Sequence, residues 1–239
     1  MSGLRLVSYN CQALTRGLDG VAATLRRLAP DVAALQEIDQ GTRRSGGLDQ
    51  LSALTQALGP PYQGVFVPAM PYDGGLYGLA VLARGSVQFL AHLPLPRHGS
   101  EEPRIAMLVQ VILQDGRPLS LVNTHLAADY QAERPQVLRE DQAQALAAWL
   151  RALTQQHQHQ GPLLLCGDCN SEPGSTPIRA LCQVAVPLNP PLLTYPSDTP
   201  QEAIDHAFWV TPSPPPPAEA QVDHSLSSDH RPLVMDISI

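Results

Sequence analysis

The feature that most constrains this chain is a recurring pattern in which an apolar run of strand length ends in, or carries, a polar side chain capable of chemistry. Leu4-Arg5-Leu6-Val7-Ser8-Tyr9 alternates at period two and runs into Asn10, as a half-buried strand with a polar end does. Residues 31–37 read as a buried strand that delivers Glu37 at its end. Residues 79–82, 105–113, 119–125, 162–168 and 203–206 follow the same pattern, the last three runs bringing His125, Asp168 and Asp205. Packed sheets gather strand ends at a common rim. The chain offers Asn10, Glu37, His125, Asp168 with Asn170, Asp205, and Asp229 with His230 as polar groups that could meet in one cluster. Each taken singly also reads as a cap or turn residue, and periodicity alone does not establish that they converge.

Between the runs lie helical signals. Residues 21–28 form a short amphipathic helix stopped by Pro30, a second helix falls near residue 50, and residues 139–153 carry Leu146, Trp149, Leu150 and Leu153 on one stripe. Helices interleaved with strands, without a break in pattern, predict a mixed α/β chain forming one domain over residues 1–239. A chain of 239 residues is long enough to bury roughly 70–75% of its unfolded surface. The 24 prolines point to long, stiff loops. Among these, residues 211–217 are expected to be an exposed polyproline spacer, and the Gln/His tract at 155–160 a solvated helix end.

Composition removes several function classes. All fifteen basic residues are arginine, against 22 acids and a net charge of −7, the wrong sign for a protein that lives on bulk nucleic-acid backbone. Four cysteines are too few for a disulfide scaffold, and Cys166 and Cys169 have no second CxxC with which to build a zinc site. Both are expected to be packing residues. Residues 1–12 lack a signal-peptide pattern and no window approaches a membrane span, so the expectation is a reduced cytoplasmic protein. The candidate cluster is rich in carboxylates and amides, a donor set suited to hard cations such as Mg²⁺ or Mn²⁺.

The segments Ser8-Tyr9-Asn10, Leu35-Gln36-Glu37, Asn123-Thr124-His125-Leu126, Gly167-Asp168-Cys169-Asn170-Ser171, Ile204-Asp205-His206 and Ser228-Asp229-His230-Arg231-Pro232-Leu233 occur in the order seen in one superfamily. Together the chain resembles the endonuclease/exonuclease/phosphatase superfamily, metal-dependent phosphoesterases with a deoxyribonuclease-I-like fold. Thr42 to Gly47, Tyr77-Gly78 and Glu102-Pro103-Arg104 narrow the likeness to small stand-alone bacterial hydrolases of that group. The resemblance implies a four-layer α/β sandwich, two mixed β-sheets face to face with helices outside, and a site at one rim. Two positions depart from the pattern: Cys169 stands where an aromatic residue is common, and Gln12 where some nuclease relatives carry an acid.

The resemblance also implies roles. Glu37 becomes the principal metal ligand, with Asn10 and Asp229 completing an oxygen shell for Mg²⁺ or Mn²⁺. Asp168 orients or deprotonates the attacking water, and Asn170 and His125 hydrogen-bond the scissile phosphate. His230 stabilises developing charge, with Asp205 accepting its other ring N–H. Arg44 and Arg104 either contact substrate or tie loops to acidic neighbours such as Asp49 or Glu102. Solvent or structural roles are expected for His206 and His224. The implied activity is hydrolysis of a phosphoester, a phosphodiester more than a monoester, with small molecules, lipid headgroups and nucleic acid all open as substrates. A DNA or RNA nuclease, a non-catalytic protein that retains the fold, and a zinc or redox protein using the two cysteines are the alternatives, and no obligate protein partner is implied.

Overall fold

A computed structural model describes residues 3–129, 134–156, 158–210 and 212–239. Two sheets share one exceptionally long strand. The first runs β10 (Ala218–Val222), β11 (Leu233–Ser238), β1 (Gly3–Asn10), β2 (Val32–Gln40), then the first half of β4 (Gly75–Pro94), with β3 (Tyr62–Tyr72) on its far side. The second runs from the other half of β4 through β5 (Ile105–Leu113), β6 (Pro118–His125), β7 (Leu163–Asp168) and β9 (Asp205–Trp209) to the two-residue β8 (Val186–Pro187). The handover falls at Arg84 and Gly85: Tyr62 still pairs with Arg84, and Gly85 already pairs with Leu113. Pairs β1–β2 and β6–β7 are parallel and the remainder antiparallel, so both sheets are mixed.

Side-chain alternation along each strand divides the interior into three apolar layers. Leu4, Leu6, Val32, Ala34, Leu119, Leu121, Leu164, Cys166, Ala207 and Trp209 meet between the sheets. The outer face of the first sheet, with Val7, Tyr9, Ala33 and Leu35, packs on α1 (Leu18–Leu28) and α2 (Gln50–Leu58) through Val21, Leu25, Leu51 and Leu54. The outer face of the second, with Val122, Leu163, Leu165 and Phe208, packs on α3 (Pro135–Gln155) and α4 (Thr176–Leu181) through Leu146, Leu150, Ile178 and Leu181. This is the expected helix, sheet, sheet, helix order. Each helix has a local reason to exist. Helix α1 ends at Ala29 in a left-handed conformation just before Pro30, α2 is capped by Asp49 accepting from the Ser52 N–H, and α3 begins on Pro135, where a missing N–H costs nothing.

Strand parity aims the polar rim. On β1, residues 4 and 6 face the other sheet, and so therefore does Asn10; on β6 the same count from 119 and 121 brings in Asn123 and His125. On β7 it brings in Asp168, and on β9 Asp205. His125 pairs with Asp168 across β6–β7, and Asp168 with Asp205 across β7–β9, so three chemical side chains sit side by side. Gly167 makes this approach possible, because a Cβ there would lie 2.0 Å from the Thr124 carbonyl oxygen.

Several expectations on loops and cysteines are met. Residues 212, 213, 214, 215 and 217 are exposed; Thr211 and His157 lie outside the described residues, as does Met1. Cys166 is buried between the sheets and Cys169 in the helix-facing layer behind the site, and neither is in a disulfide. Burial pushes the Cys166 thiol up to about 12. Among the described residues, no helix is long and apolar enough to cross a membrane.

Candidate active site

The candidate polar cluster converges. Asn10, Glu37, His125, Asp168, Asn170, Asp229 and His230 line one cavity of about 280 Å³, walled also by Tyr195, Glu202 and Asp129. Asp205 lies beneath it, buried and bonded to His230. Glu37 is not at a strand end, as the sequence suggested, but inside β2, which continues to Gln40. Between Leu35 and Ile38 the pairing with β4 slips by a residue, and Glu37 takes φ +54. A bulge of this kind re-aims a side chain. Leu35 and Ile38 both keep to the helix side, while Gln36 reaches Asn123 on the opposite sheet and Glu37 reaches Asn10.

Asp168 is the centre of the site. Its Oδ2 accepts from Asn10 Nδ2 at 3.0 Å and faces His125 Nε2 at 3.4 Å and His230 Nε2 at 3.5 Å, and its Oδ1 accepts the Asn170 backbone N–H at 2.9 Å. Burial pushes this carboxyl up to about 6, while His230 and the hydrogen bond from Asn10 hold it down. A carboxylate poised near neutrality suits a general base. His230 donates from Nδ1 to Asp205 Oδ2 at 2.8 Å. Burial opposes its charge, yet Asp205 and Asp168 outweigh burial and raise it to about 10. The Tyr195 ring packs against it with centroids 4.8 Å apart.

His125 has the opposite environment. Its Nδ1 lies 2.8 Å from Arg104 Nη1, and burial, the Arg104 charge and His230 hold its pKa well below the usual value. Asn170, at φ +46, spends one amide hydrogen on the Leu126 carbonyl at 3.0 Å. The two arginines are tied down rather than free. Arg44 makes two bonds to Asp39, at 2.6 and 2.8 Å, and lies over the Tyr72 ring. Arg104 is buried and paired with Glu102 at 3.1 Å, as the loop-tying alternative described. Asp49, named as a partner for an arginine, instead caps α2. His206 is structural, donating from Nε2 to the Ser171 carbonyl, and His224 accepts at Nδ1 from Arg231 on the surface.

The oxygen donors fit a hard dication. Among the described residues the one hydrogen bond to the Glu37 carboxylate comes from Asn10 Nδ2, at 3.0 Å, and Asp229 shares the cavity. Burial raises the Glu37 pKa, and the Asp229 charge adds to the rise. Two acids facing one small cavity are what a dication would neutralise. Asn10 Oδ1 accepts from the Gln12 N–H at 3.1 Å and keeps a second lone pair. Among the described residues the one set of three His, Cys, Asp or Glu side chains whose ligand atoms lie within 4.8 Å of one another is Asp168, Asp205 and His230.

Sequence reasoning quoted Gln36 and Asn123 inside their segments but gave no role to either, and these residues lock the two sheets together at the rim. Asn123 Nδ2 donates to the Leu35 and Ala80 carbonyls, both at 3.0 Å, and its Oδ1 accepts from Gln36 at 2.8 Å. Fully buried, such bonds contribute about 1 kcal/mol each and cost more if one partner is lost. Continuing the parity count would have found both residues. No pattern marks Tyr195, Glu202 or Asp129, which come from loops.

The site thus gathers acids, amides and two imidazoles at one edge of an α/β sandwich. The family model described as Endonuclease/Exonuclease/phosphatase family matches residues 7–230, and the chain belongs to this family. The structure is similar to the human Nocturnin catalytic domain with bound sulfate anion, with TM-score 0.73 and 20% identity over 99% of this chain and 94% of that one. Truncated Caenorhabditis elegans TDP2 gives TM-score 0.73 and 17% identity, covering 99% and 98%. An endonuclease/exonuclease/phosphatase from Beutenbergia cavernae DSM 12333 gives 0.70 and 19%, covering 100% of this chain and 72% of that one. At these identities the likeness is one of fold. No curated protein matches the chain in sequence.

Proposed function

We propose that this protein is a cytoplasmic, Mg²⁺- or Mn²⁺-dependent phosphodiesterase that cleaves its substrate with an activated water and forms no covalent enzyme intermediate. The observation that carries this reading is the placing of Asp168 among Asn10, His125 and His230 in a single cavity. Asp168 orients the water and takes its proton as the oxygen attacks phosphorus, the P–O bond to the leaving group breaks, and the departing oxygen takes a proton from solvent and leaves as an alcohol. His125 and Asn170 donate to a phosphate oxygen. His230, held by Asp205, keeps a positive charge where negative charge grows. Glu37 and Asp229, with Asn10, would hold the dication, which would supply further positive charge against the phosphate.

Small phosphodiesters are favoured over polynucleotide. The chain has a net charge of −7, and among the described residues no arginine lines the cavity. The cavity instead adjoins a second one of about 500 Å³, with Asp129 and Glu202 common to both and Glu140 and Glu172 beyond. An extended polyanion would meet like charge there. The two arginines of that wall are engaged, Arg139 by Asp129 and Arg179 by Thr176 and the Gly174 carbonyl.

A panel of phosphomonoesters, small phosphodiesters and short oligonucleotides, assayed with Mg²⁺ and with Mn²⁺, tests the reading. Diester hydrolysis that stops in excess chelator is expected. No turnover on any member would overturn the enzyme, and undiminished turnover in chelator would overturn the metal.

A further inference from the structure

We infer that Arg104 is a positioning residue that fixes His125 in one neutral tautomer, with its proton on Nε2 and directed at the cavity. Arg104 is only 3% exposed and does not line the cavity, so its guanidinium acts through the imidazole. A guanidinium carries five N–H donors and no acceptor. At 2.8 Å from Arg104 Nη1, His125 Nδ1 must therefore accept, and the ring's proton lies on Nε2. That nitrogen faces Asp168 Oδ2 at 3.4 Å, an acceptor in its turn.

The guanidinium is itself fixed. Glu102 pairs with it at 3.1 Å, Nη1 also donates to the Tyr77 hydroxyl at 3.3 Å, and the Arg104 carbonyl accepts from the Leu95 N–H at 2.9 Å. The reverse tautomer would set an imidazole N–H against an arginine N–H. An imidazolium would add a second buried cation to the first. Both alternatives are costly for groups this buried.

The two histidines that flank Asp168 are thus set to different tasks by the groups behind them. A carboxylate, Asp205, makes His230 an Nδ1–H donor that holds charge. A guanidinium makes His125 a permanent, uncharged Nε2–H donor. His125 can hydrogen-bond a phosphate oxygen but cannot collect a proton, so taking the proton of the attacking water falls to Asp168. This division rests on the proposed phosphoester chemistry, although the tautomer itself does not.

The test is a long-range ¹H–¹⁵N correlation spectrum of the full chain labelled at histidine, recorded without turnover. An unprotonated Nδ1 and a protonated Nε2 on His125 across neutral pH are expected. The opposite tautomer, an imidazolium, or rapid exchange between tautomers would overturn the proposal, and the unsubstituted protein suffices to decide it. With an active diester in hand, Arg104→Met should lower kcat by about 10- to 100-fold, the range for losing a partner that orients a functional imidazole, with a smaller change in KM. Arg104→Lys, which keeps a cationic donor, should restore the Nε2–H signal and part of kcat. Full kcat with an unchanged His125 spectrum in Arg104→Met would reduce Arg104 to a structural group. An absence of turnover in the parent would overturn the phosphoesterase reading and leave the spectrum to decide the tautomer.

Discussion

Asn10 joins two buried acids of the cavity through a single nitrogen: Nδ2 donates to Glu37 Oε1 and to Asp168 Oδ2, each at 3.0 Å. The Gln12 N–H on Oδ1 fixes which edge of the amide faces them. Residues 27 and 158 positions away in the chain are thereby held in one geometry by the last side chain of β1.

Asn10→Asp is nearly isosteric, yet it exchanges a shared donor for a third carboxylate. A hydrogen bond to a charged group is worth about 1.5–3 kcal/mol, so kcat at neutral pH should fall by roughly 10- to 100-fold. Asn10 also helps to hold Asp168 down at about 6. Its replacement by an anion should move the acid limb of the pH–rate profile to higher pH. An unmoved limb would separate Asp168 from the observed titration.

Glu37→Gln keeps an oxygen for the Asn10 amide and the shape of the bulge, but removes the charge. The folded state should survive with an unchanged circular dichroism spectrum. Divalent-ion dependence and most of the activity should be lost. Parent-like rates at limiting Mn²⁺ would take Glu37 out of the metal shell.

The architecture was legible where periodicity and burial coincide. β1, β5, β6, β7 and the helices α1 and α3 all stand within a few residues of their predicted places, because each buries a face whose period is visible in the chain. β4 was seen only at residues 79–82, although it spans Gly75–Pro94. Its second half, residues 86–94, is largely exposed on one side and carries no apolar run longer than Phe89-Leu90-Ala91. β3 was missed for a similar reason: Pro68 and Pro71 interrupt it, and it lies at an edge where prolines are tolerated. In the site, the strand-end pattern singled out Asn10, His125, Asp168 and Asp205, and strand parity turns them to the same side as Leu4 and Leu6, Leu119 and Leu121, Leu164 and Cys166, and Ala207 and Trp209. Glu37 reaches the cavity, but by another geometry than the strand end expected for it. A bulge inverts parity, and nothing in Leu35-Gln36-Glu37 announces one.

Asp49 offers a check on stability away from the chemistry. Its Oδ1 accepts the Ser52 N–H at 3.0 Å and its Oδ2 accepts from Gln40 at 2.8 Å. Burial opposes the charge, but these bonds outweigh it and lower the pKa below the ordinary 3.8. The folded pKa is depressed, so the stabilisation is present above about 3.8 and is lost as pH falls through the lower folded value. Asp49→Ala should cost about 1 kcal/mol near neutrality, as loss of an N-cap does. Asp49→Asn keeps a capping oxygen and should flatten the acid dependence. Urea unfolding at several pH values reads both, and a parent-like acid slope in Asp49→Asn would contradict the assignment.

His230 and Asp205 test whether the site is built for catalysis, because their 2.8 Å bond makes a claim about coupling rather than presence. Removing one electrostatic stabiliser commonly lowers kcat by about 10²–10³, and His230→Ala should do so with little change in KM. Asp205→Asn alone should lower kcat as well, since its task is to hold the imidazole and its charge. In the His230→Ala background Asp205→Asn should do far less than additive harm. The same pair has a stability signature of known sign. His230 is raised from 6.5 to about 10 in the folded state, so its stabilising contribution is complete below about 6.5 and is lost as pH rises through about 10. His230→Ala should therefore be less sensitive to alkali than the parent. Independent kinetic effects of the two substitutions, together with an alkaline stability limb that His230→Ala leaves unchanged, would show that the imidazole is not held as a cation by Asp205.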